Sequence, residues 1–344
     1  MPREHTPCRT YERDTCTLSP FCQLESLNPG GSIKDRPALE ILRRSIEEGQ
    51  IGKDTVIVEA TSGNMGIGLA QICCRLGLRF ICITDKNISA QNLQLLRAYG
   101  AEVEVVTEAD PANGDLLQTR IARAQEIARR LRNSFWVNQY ANIYNARAHH
   151  QTMLEILDQL DGKLDFLFCA ASSCGTVRGC AEYLRLNGFG STKIYVADAY
   201  GSVIFGGKRG KRQIQGHGAG IKPRLFARGL VHKSIKVSDL ECVIGCRRLL
   251  AAEALLVGGS SGATLMAVEH AKNDIPDDAN CVMIFPDRGE RYLETVFCDD
   301  WVREHLGCSA SDLESHKRSF GMSSGCVKAA ANCKAAPLHD SASK

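Results

Sequence analysis

Lys34 is the side chain whose surroundings best suit chemistry. It follows the turn Asn28-Pro29-Gly30-Gly31-Ser32-Ile33, in which proline fixes φ and two glycines open backbone conformations that other residues resist. Behind it, apolar residues at 38, 39, 41, 42 and 46 fall close to helical spacing. An amine where a glycine-rich turn enters a helix can be held out of bulk water, lose its charge and attack an aldehyde. The ordinary alternative is a surface lysine beside a helix start.

Three loops weigh against that alternative. A short strand at 56–59 leads into Ala60-Thr61-Ser62-Gly63-Asn64-Met65-Gly66-Ile67-Gly68 and then a helix. A buried-strand candidate at 164–170 leads into Ala171-Ser172-Ser173-Cys174-Gly175-Thr176, again before a helix. Leu256-Val257-Gly258-Gly259-Ser260-Ser261-Gly262-Ala263-Thr264 is the third. Free N–H groups at a helix start point at an anion, and small residues and hydroxyls let it approach. No Gly-Lys-Ser/Thr follows the first loop, and Gly63, Gly66 and Gly68 do not fit Gly-x-Gly-x-x-Gly. An amine served by such loops suits a phosphorylated aldehyde, pyridoxal phosphate (PLP).

The elements that must carry these loops alternate. Strands are expected at 21–25, 55–59, 79–83, 102–106 and 135–138, with helices at 38–48, 65–76, 89–98 and 115–132. A second set has strands near 165–169, 193–197, 235–237 and 281–285 and helices near 145–160, 176–187, 238–255, 261–272 and 292–305. Such alternation predicts mainly parallel, helix-covered sheets with ligands beyond the strands' carboxyl ends. Residues 1–19 are polar and show no strand, and residues 308–344, rich in Ser, Ala, Gly, Cys and Lys, read as a mobile tail.

From about residue 20 to 306 the sequence resembles the cysteine synthase-like, fold-type II PLP enzymes. The resemblance is carried by Asn28 to Arg36, Thr61-Ser62-Gly63-Asn64, Gln215-Gly216-x-Gly218 and Gly258-Gly259-Ser260-x-Gly262. Within them it is most similar to the N-(2-amino-2-carboxyethyl)-L-glutamate synthase group, which makes a 2,3-diaminopropionate precursor in siderophore pathways. That likeness is carried by Asn92-Leu93, Thr119-Arg120-Ile121, residues Asn138 to Asn142, Gly201 to Gly206 and Pro286-Asp287-Arg288-Gly289-x-Arg291-Tyr292-Leu293. It implies an α/β fold of two three-layer α/β/α domains, tryptophan synthase β-like, at 1–142 (with the first residues able to pack on the second domain) and 143–307. The active site would lie in the interdomain cleft.

The resemblance also assigns roles. Lys34 would hold PLP and serve as base, Asn64 would contact the pyridine 3′-oxygen, and Ser172, Ser173, Cys174, Gly175 and Thr176 would form the phosphate loop. Ser260 would face the ring nitrogen, and it reads equally as a helix N-cap. Thr61, Ser62 and Gln139 would bind the substrate carboxylate, and Asn64 and Met65 would also belong to the substrate site. Met65 stands where cysteine synthases commonly have threonine. Arg120, Tyr140 and Ser172 would serve the second substrate, although Arg120 could be a solvated helix residue and Tyr140 a packed aromatic. The implied activity is a transferase reaction of EC 2.5.1 type: β-replacement on O-phospho- or O-acetyl-L-serine through an aminoacrylate, with the amine of L-glutamate or L-aspartate as nucleophile. Cysteine synthase using sulfide is the alternative, and a weakly catalytic binding paralogue a third. A homodimer is implied.

Composition bounds these readings. The 344-residue chain carries a net charge of +3, which gives no support to nucleic-acid binding. The basic run Lys208-Arg209-Gly210-Lys211-Arg212 reads as a solvated loop or as a device that steers acidic substrates. The sixteen cysteines include no C-x-x-C pair, so no metal site is expected and Cys174 would contribute backbone only. The polar first fifteen residues are no signal peptide, and no apolar run reaches the ~20 residues a membrane span needs. A cytoplasmic protein with reduced, mostly core-packed thiols is expected.

Overall fold

A computed structural model describes residues 8–10, 20–109, 116–309 and 311–313. Two sheets organise the chain. The smaller has the order β5-β4-β3-β6 and is wholly parallel: β3 (Val56–Ala60), β4 (Phe80–Asp85), β5 (Glu102–Val106) and β6 (Ser134–Trp136). The larger runs β1-β2-β10-β7-β8-β9, built from β1 (Cys8–Thr10), β2 (Phe21–Leu24), β7 (Phe166–Ala170), β8 (Lys193–Ala199), β9 (Lys233–Val237) and β10 (Cys281–Phe285). Only β1 is antiparallel, pairing Cys8 with Gln23 and Thr10 with Phe21. The polar lead-in was expected to hold no strand. Three residues are too short for a period-2 signal, and pairing with β2 supplies what the local sequence does not. β2 precedes Lys34 in sequence yet belongs to the larger sheet, pairing Phe21 to Val282 and Leu24 to Phe285.

Both faces of each sheet are covered, giving two three-layer α/β/α units. On one face of the small sheet, α1 (Asp35–Glu47), α2 (Asn64–Leu76) and α3 (Ala90–Ala98) bury Ile41, Leu42, Leu69 and Leu96 beside Ile57 and Phe80. On the other, α4 (Leu116–Arg130) packs Ala124 and Ile127 against Val58 and Ile83. The large sheet holds α6 (His149–Gln159) and α7 (Gly175–Leu186) on one face, and α8 (Asp239–Glu253) and α9 (Gly259–Ala271) on the other. The α8–α9 contact depends on Gly245 and Gly262, where an added Cβ would overlap the facing helix backbone. Strands buried on both faces read as continuous apolar runs, as Cys281-Val282-Met283-Ile284-Phe285 does.

Two expected helices change form. The helix predicted over 145–160 is divided into α5 (Ile143–Arg147) and α6 at Ala148, where α7 crosses so closely that a Cβ on Gly179 would overlap the Ala146 carbonyl. The helix expected over 292–305 is a short 3₁₀ turn, Gly289–Tyr292, followed by α10 (Asp299–Leu306). Asp299 and Asp300 occupy the first turn of α10, where carboxylates favour the positive helix end. Of the tail expected from residue 308, Cys308 and Leu313 are buried in the core beside Val302. The rest of that expected tail lies outside the described residues. No helix among the described residues is long and apolar enough to cross a membrane. Most cysteines whose side chains are described are buried thiols.

Candidate active site

The lysine turn is stitched from two sides. Gly31 N–H donates to the Asn28 carbonyl at 2.7 Å to close the turn, and Gly31 has φ +78°, a left-handed value that suits glycine. Ile33 N–H donates to the Pro286 carbonyl at 2.7 Å, Ser32 bridges to Asp287, and Arg291 donates to the Gly30 carbonyl. The chain leaving β10 therefore fixes a segment as far as 261 residues earlier in sequence. On the opposite side, Arg36 donates to Glu25 at 2.7 Å and to both oxygens of Glu155 at 3.0 and 2.6 Å. Glu25 and Glu155 are buried, so this network ties α1 to the 3₁₀ turn that follows β2 (Glu25–Leu27) and to α6. Gly68 of α2 lies against Lys34: a Cβ there would stand 3.2 Å from the Lys34 carbonyl.

Lys34 lines a cleft of about 810 Å³. Protein around its amine lowers the pKa below the ordinary lysine value through desolvation, and Asp287 and Glu25 offset part of that effect. Every residue given a role from the sequence borders the same cleft: Thr61, Ser62, Asn64, Met65, Arg120, Gln139, Tyr140, Ser172, Ser173, Cys174, Gly175, Thr176 and Ser260. Their surroundings differ from expectation in several respects.

Asn64 begins α2 and is held by both ends of its amide. Its Nδ2 donates to Asp287 Oδ2 at 2.6 Å, and its Oδ1 accepts from Arg291. The amide also hydrogen-bonds the Tyr292 hydroxyl, so Asp287, Arg291 and Tyr292 together fix it at the cleft. Asp287 also accepts from the Tyr292 hydroxyl at 2.5 Å, while its Oδ1 is buried without a partner. Burial pushes the Asp287 carboxyl above its ordinary pKa, against the pull of Tyr292, Asn64, Arg291 and Lys34. Asp287, Arg291 and Tyr292 were visible as part of a motif, but no spacing rule assigned them a role.

Arg120 is neither solvated nor unpaired. It is 9% exposed, its Nε lies 3.0 Å from Asp85 Oδ2, and it donates to Ser62 Oγ. Asn92 donates to the Ser62 carbonyl at 3.1 Å, so the 61–64 loop is held at side chain and backbone together. Met65 is 2% exposed and packs with Ile41 and Leu69 beneath the loop.

Glu59, at the end of β3, organises Asn138 and Gln139. It accepts from Asn138 N–H at 2.7 Å and Gln139 Nε2 at 3.1 Å, and desolvation pushes its carboxyl pKa up to about 7. Asn145 donates to the Gln139 carbonyl at 2.7 Å and to Ser173 Oγ at 3.3 Å, joining this turn to the 172–176 loop.

The 172–176 loop ends at the N-terminus of α7. Cys174 is the residue before the helix and has φ +66°. Burial pushes its thiol up to about 12, so it is a neutral thiol that leaves the backbone to do the binding. Thr176 Oγ1 lies 3.2 Å from His149 Nε2; His149 is buried and its pKa is lowered by desolvation, so a neutral ring steadies this hydroxyl. Ser260 sits in the first turn of α9, whose N-cap is Gly258; the N-cap expected at Ser260 is displaced by the two preceding glycines, which already have helix-start geometry. His217 borders the cleft, buried and 3.6 Å from Cys242, with its pKa pushed down to about 4 by burial.

A desolvated amine, a helix N-terminus with hydroxyls, and an amide fixed at the cleft suit the aldehyde, phosphate and 3′-oxygen of PLP. The comparisons agree. Similar solved structures include an O-acetylserine dependent cystathionine beta-synthase from Helicobacter pylori, with 29% identity and a TM-score of 0.79 over 85% of this chain and 95% of that one. A hydrogen sulfide-producing enzyme from Fusobacterium nucleatum has 32% identity and a TM-score of 0.78 over 84% and 96%. An O-ureido-L-serine synthase has 27% identity and a TM-score of 0.79 over 91% and 96%. Residues 2–287 match the family described as pyridoxal-phosphate dependent enzyme, and with the site just described the chain belongs to that family.

Proposed function

We propose that the protein catalyses β-replacement on an O-activated L-serine, with the amine of an acidic amino acid as nucleophile. The observation that carries this reading is the pairing, in one cleft, of a desolvated Lys34 with a basic segment at 211–212. PLP, when bound, supplies an electron sink that makes the substrate Cα–H acidic and allows the β-substituent to leave. The chain's own residues do the rest. Lys34 Nζ holds the cofactor and then takes the Cα proton, for which a lowered pKa suits it. Ser172 to Thr176 hold the phosphate. Thr61, Ser62 and Gln139 receive the α-carboxylate, with Arg120 and Asp85 orienting the Ser62 hydroxyl and Glu59 orienting Gln139. Asn64 meets the 3′-oxygen, steered by Asp287 and Arg291. Ser260 offers the ring nitrogen a hydroxyl rather than a carboxylate, which favours elimination and replacement over transamination.

Acetate or phosphate leaves and the incoming amine bonds to the β-carbon, giving an N-(2-amino-2-carboxyethyl) amino acid. In this reading the two halves of the chain meet at residues 142 and 143, and two copies pair. Sulfide as nucleophile is the second reading, from the resemblance to cysteine synthases; the similar enzyme from Fusobacterium nucleatum handles sulfide as a product. Mass spectrometry of products decides between them, with O-acetyl- and O-phospho-L-serine as donors and glutamate, aspartate and sulfide as acceptors. The expected product carries the serine-derived three-carbon unit on the acidic amino acid's nitrogen. Cysteine as the sole product overturns the proposal.

A further inference from the structure

The cleft holds two arginines that could meet a carboxylate, and they are not equivalent. Arg120 is already paired with Asp85 and engaged with Ser62. Arg212 has no ion-pair or hydrogen-bond partner among the described residues, and its Nε is buried without one. The carboxylates whose fields reach it are Asp198 and Asp239. Both are engaged elsewhere: Asp198 accepts from Lys236 at 2.7 Å, and Asp239 from Gln213 N–H at 2.8 Å and Ile214 N–H at 3.3 Å. Tyr140 and Arg209 are the other charged or titratable groups that act on it. Desolvation lowers the Arg212 pKa, as expected of a cation held partly out of water without a counter-ion.

The position fits a second ligand. Arg212 borders the cleft together with Lys211, Tyr140 and Gly220. At Gly220 an added Cβ would stand 3.3 Å from Arg212 Nη2 and 3.4 Å from Arg209 Nε, so two guanidinium groups converge where this residue has no side chain. A planar guanidinium with its donors unspent binds a carboxylate by two parallel hydrogen bonds.

We propose that Arg212 is the specificity residue for the second substrate, binding the side-chain carboxylate of the incoming acidic amino acid. This rests on the β-replacement reading above. A cation left without a partner at the rim of the site becomes neutralised only when a dianionic acceptor arrives, whereas glutamine or sulfide gains nothing from it. The basic run 208–212 then acts at two ranges, with Lys208, Arg209 and Lys211 raising the local concentration of acidic substrate and Arg212 binding it.

The test uses the PLP-loaded enzyme with O-acetyl- or O-phospho-L-serine and three acceptors, L-glutamate, L-glutamine and sulfide, in wild type, Arg212→Gln and Arg212→Lys. In Arg212→Gln the KM for glutamate should rise about ten- to a hundred-fold, the loss expected for one charge-assisted contact. Turnover at saturating glutamate, the KM for glutamine, the rate with sulfide and the cofactor absorbance should stay as in wild type. Arg212→Lys should recover part of the glutamate KM, since it restores charge without the fork. Equal losses for all three acceptors, or loss of PLP from Arg212→Gln, overturn the assignment and place Arg212 in the scaffold or on the cofactor phosphate. A wild-type enzyme that uses no acidic amine overturns the reading beneath it; a wild type that does, matched by Arg212→Gln, overturns the assignment of Arg212 alone.

Discussion

The floor of the cleft and its basic rim treat charge in opposite ways. Around Lys34 each arginine is engaged: Arg36 by Glu25 and Glu155, Arg120 by Asp85, Arg291 by Asn64 and Gly30, and Arg288 by the Ser26 carbonyl at 2.8 Å. At the rim, Arg212 is left with its donors unspent. Spent charges hold backbone and side chains in register; unspent ones are available to a ligand. Residue type alone does not separate the two classes, and partners found across the fold do.

The largest break in this contrast should come from the floor. Arg36→Ala removes the central cation of a buried network and leaves Glu25 and Glu155 without their counter-ion. Breaking such a pair from one side costs roughly 3–5 kcal/mol. A corresponding fall in the urea midpoint, with weaker PLP retention because the lysine turn loses one of its two anchors, is the expected result. An unchanged midpoint would show that the turn is held from the β10 side alone.

Asp287→Asn probes the other anchor and comes next in size. The substitution keeps shape and removes the negative charge that supports the Lys34 ammonium. Asn64 and Tyr292 lose a charged acceptor, at a cost of about 1–3 kcal/mol. Because Asp287 raises the Lys34 pKa, its neutral replacement should lower that pKa further. The pH profile for PLP capture by the apo-protein should therefore shift toward acid, measured from the growth of cofactor absorbance. A profile that stays in place would show that Lys34 does not sense this carboxylate.

Much of the floor was legible in the sequence because its signals are local. The turn glycines, the strand–loop–helix alternation and the loop hydroxyls each lie within a few residues of one another, and Lys34 borders one cleft with residues of all three loops. The partners were not legible. Asp287 meets Asn64 across more than two hundred residues, and Arg120 meets Asp85 through the packing of α4 on β4. No periodicity records such pairings. The short strand Cys8–Thr10 and the break at Ala148 were missed for the same reason, since contact with another element creates both.

A smaller effect is expected at Glu59, read through pH. Its folded pKa of about 7 lies above the ordinary 4.5, so the folded state holds a proton that the unfolded state releases. That preference stabilises the fold below about 4.5 and is lost as pH rises through about 7. Asp35, raised to about 6, contributes in the same direction, and His217, lowered to about 4, in the opposite one. The difference between wild type and Glu59→Gln isolates one group. Denaturant titrations at several pH values should show the glutamine variant gaining on wild type between these limits. Parallel curves would mean that Glu59 is ionised throughout.

Cys174 should give the smallest effect, and it separates backbone from side chain in the phosphate loop. Its φ of +66° costs an L-residue roughly 1–2 kcal/mol, and glycine adopts it without strain. Against that gain, Cys174→Gly loses a small buried side chain, worth about 0.8 kcal/mol per buried methylene, and adds freedom to the unfolded chain worth roughly 0.5–1 kcal/mol. The terms nearly cancel, so the stability of Cys174→Gly should lie close to wild type. Cys174→Ala keeps the strained φ and gives up the sulfur's contacts, so it should fall below the glycine variant. Both should retain PLP, because the N–H groups entering α7 do not depend on the side chain. Equilibrium unfolding ranks the three proteins, and cofactor absorbance after gel filtration reports retention. Loss of PLP from both variants would assign the thiol itself to the phosphate site and end the account in which Cys174 serves through its backbone.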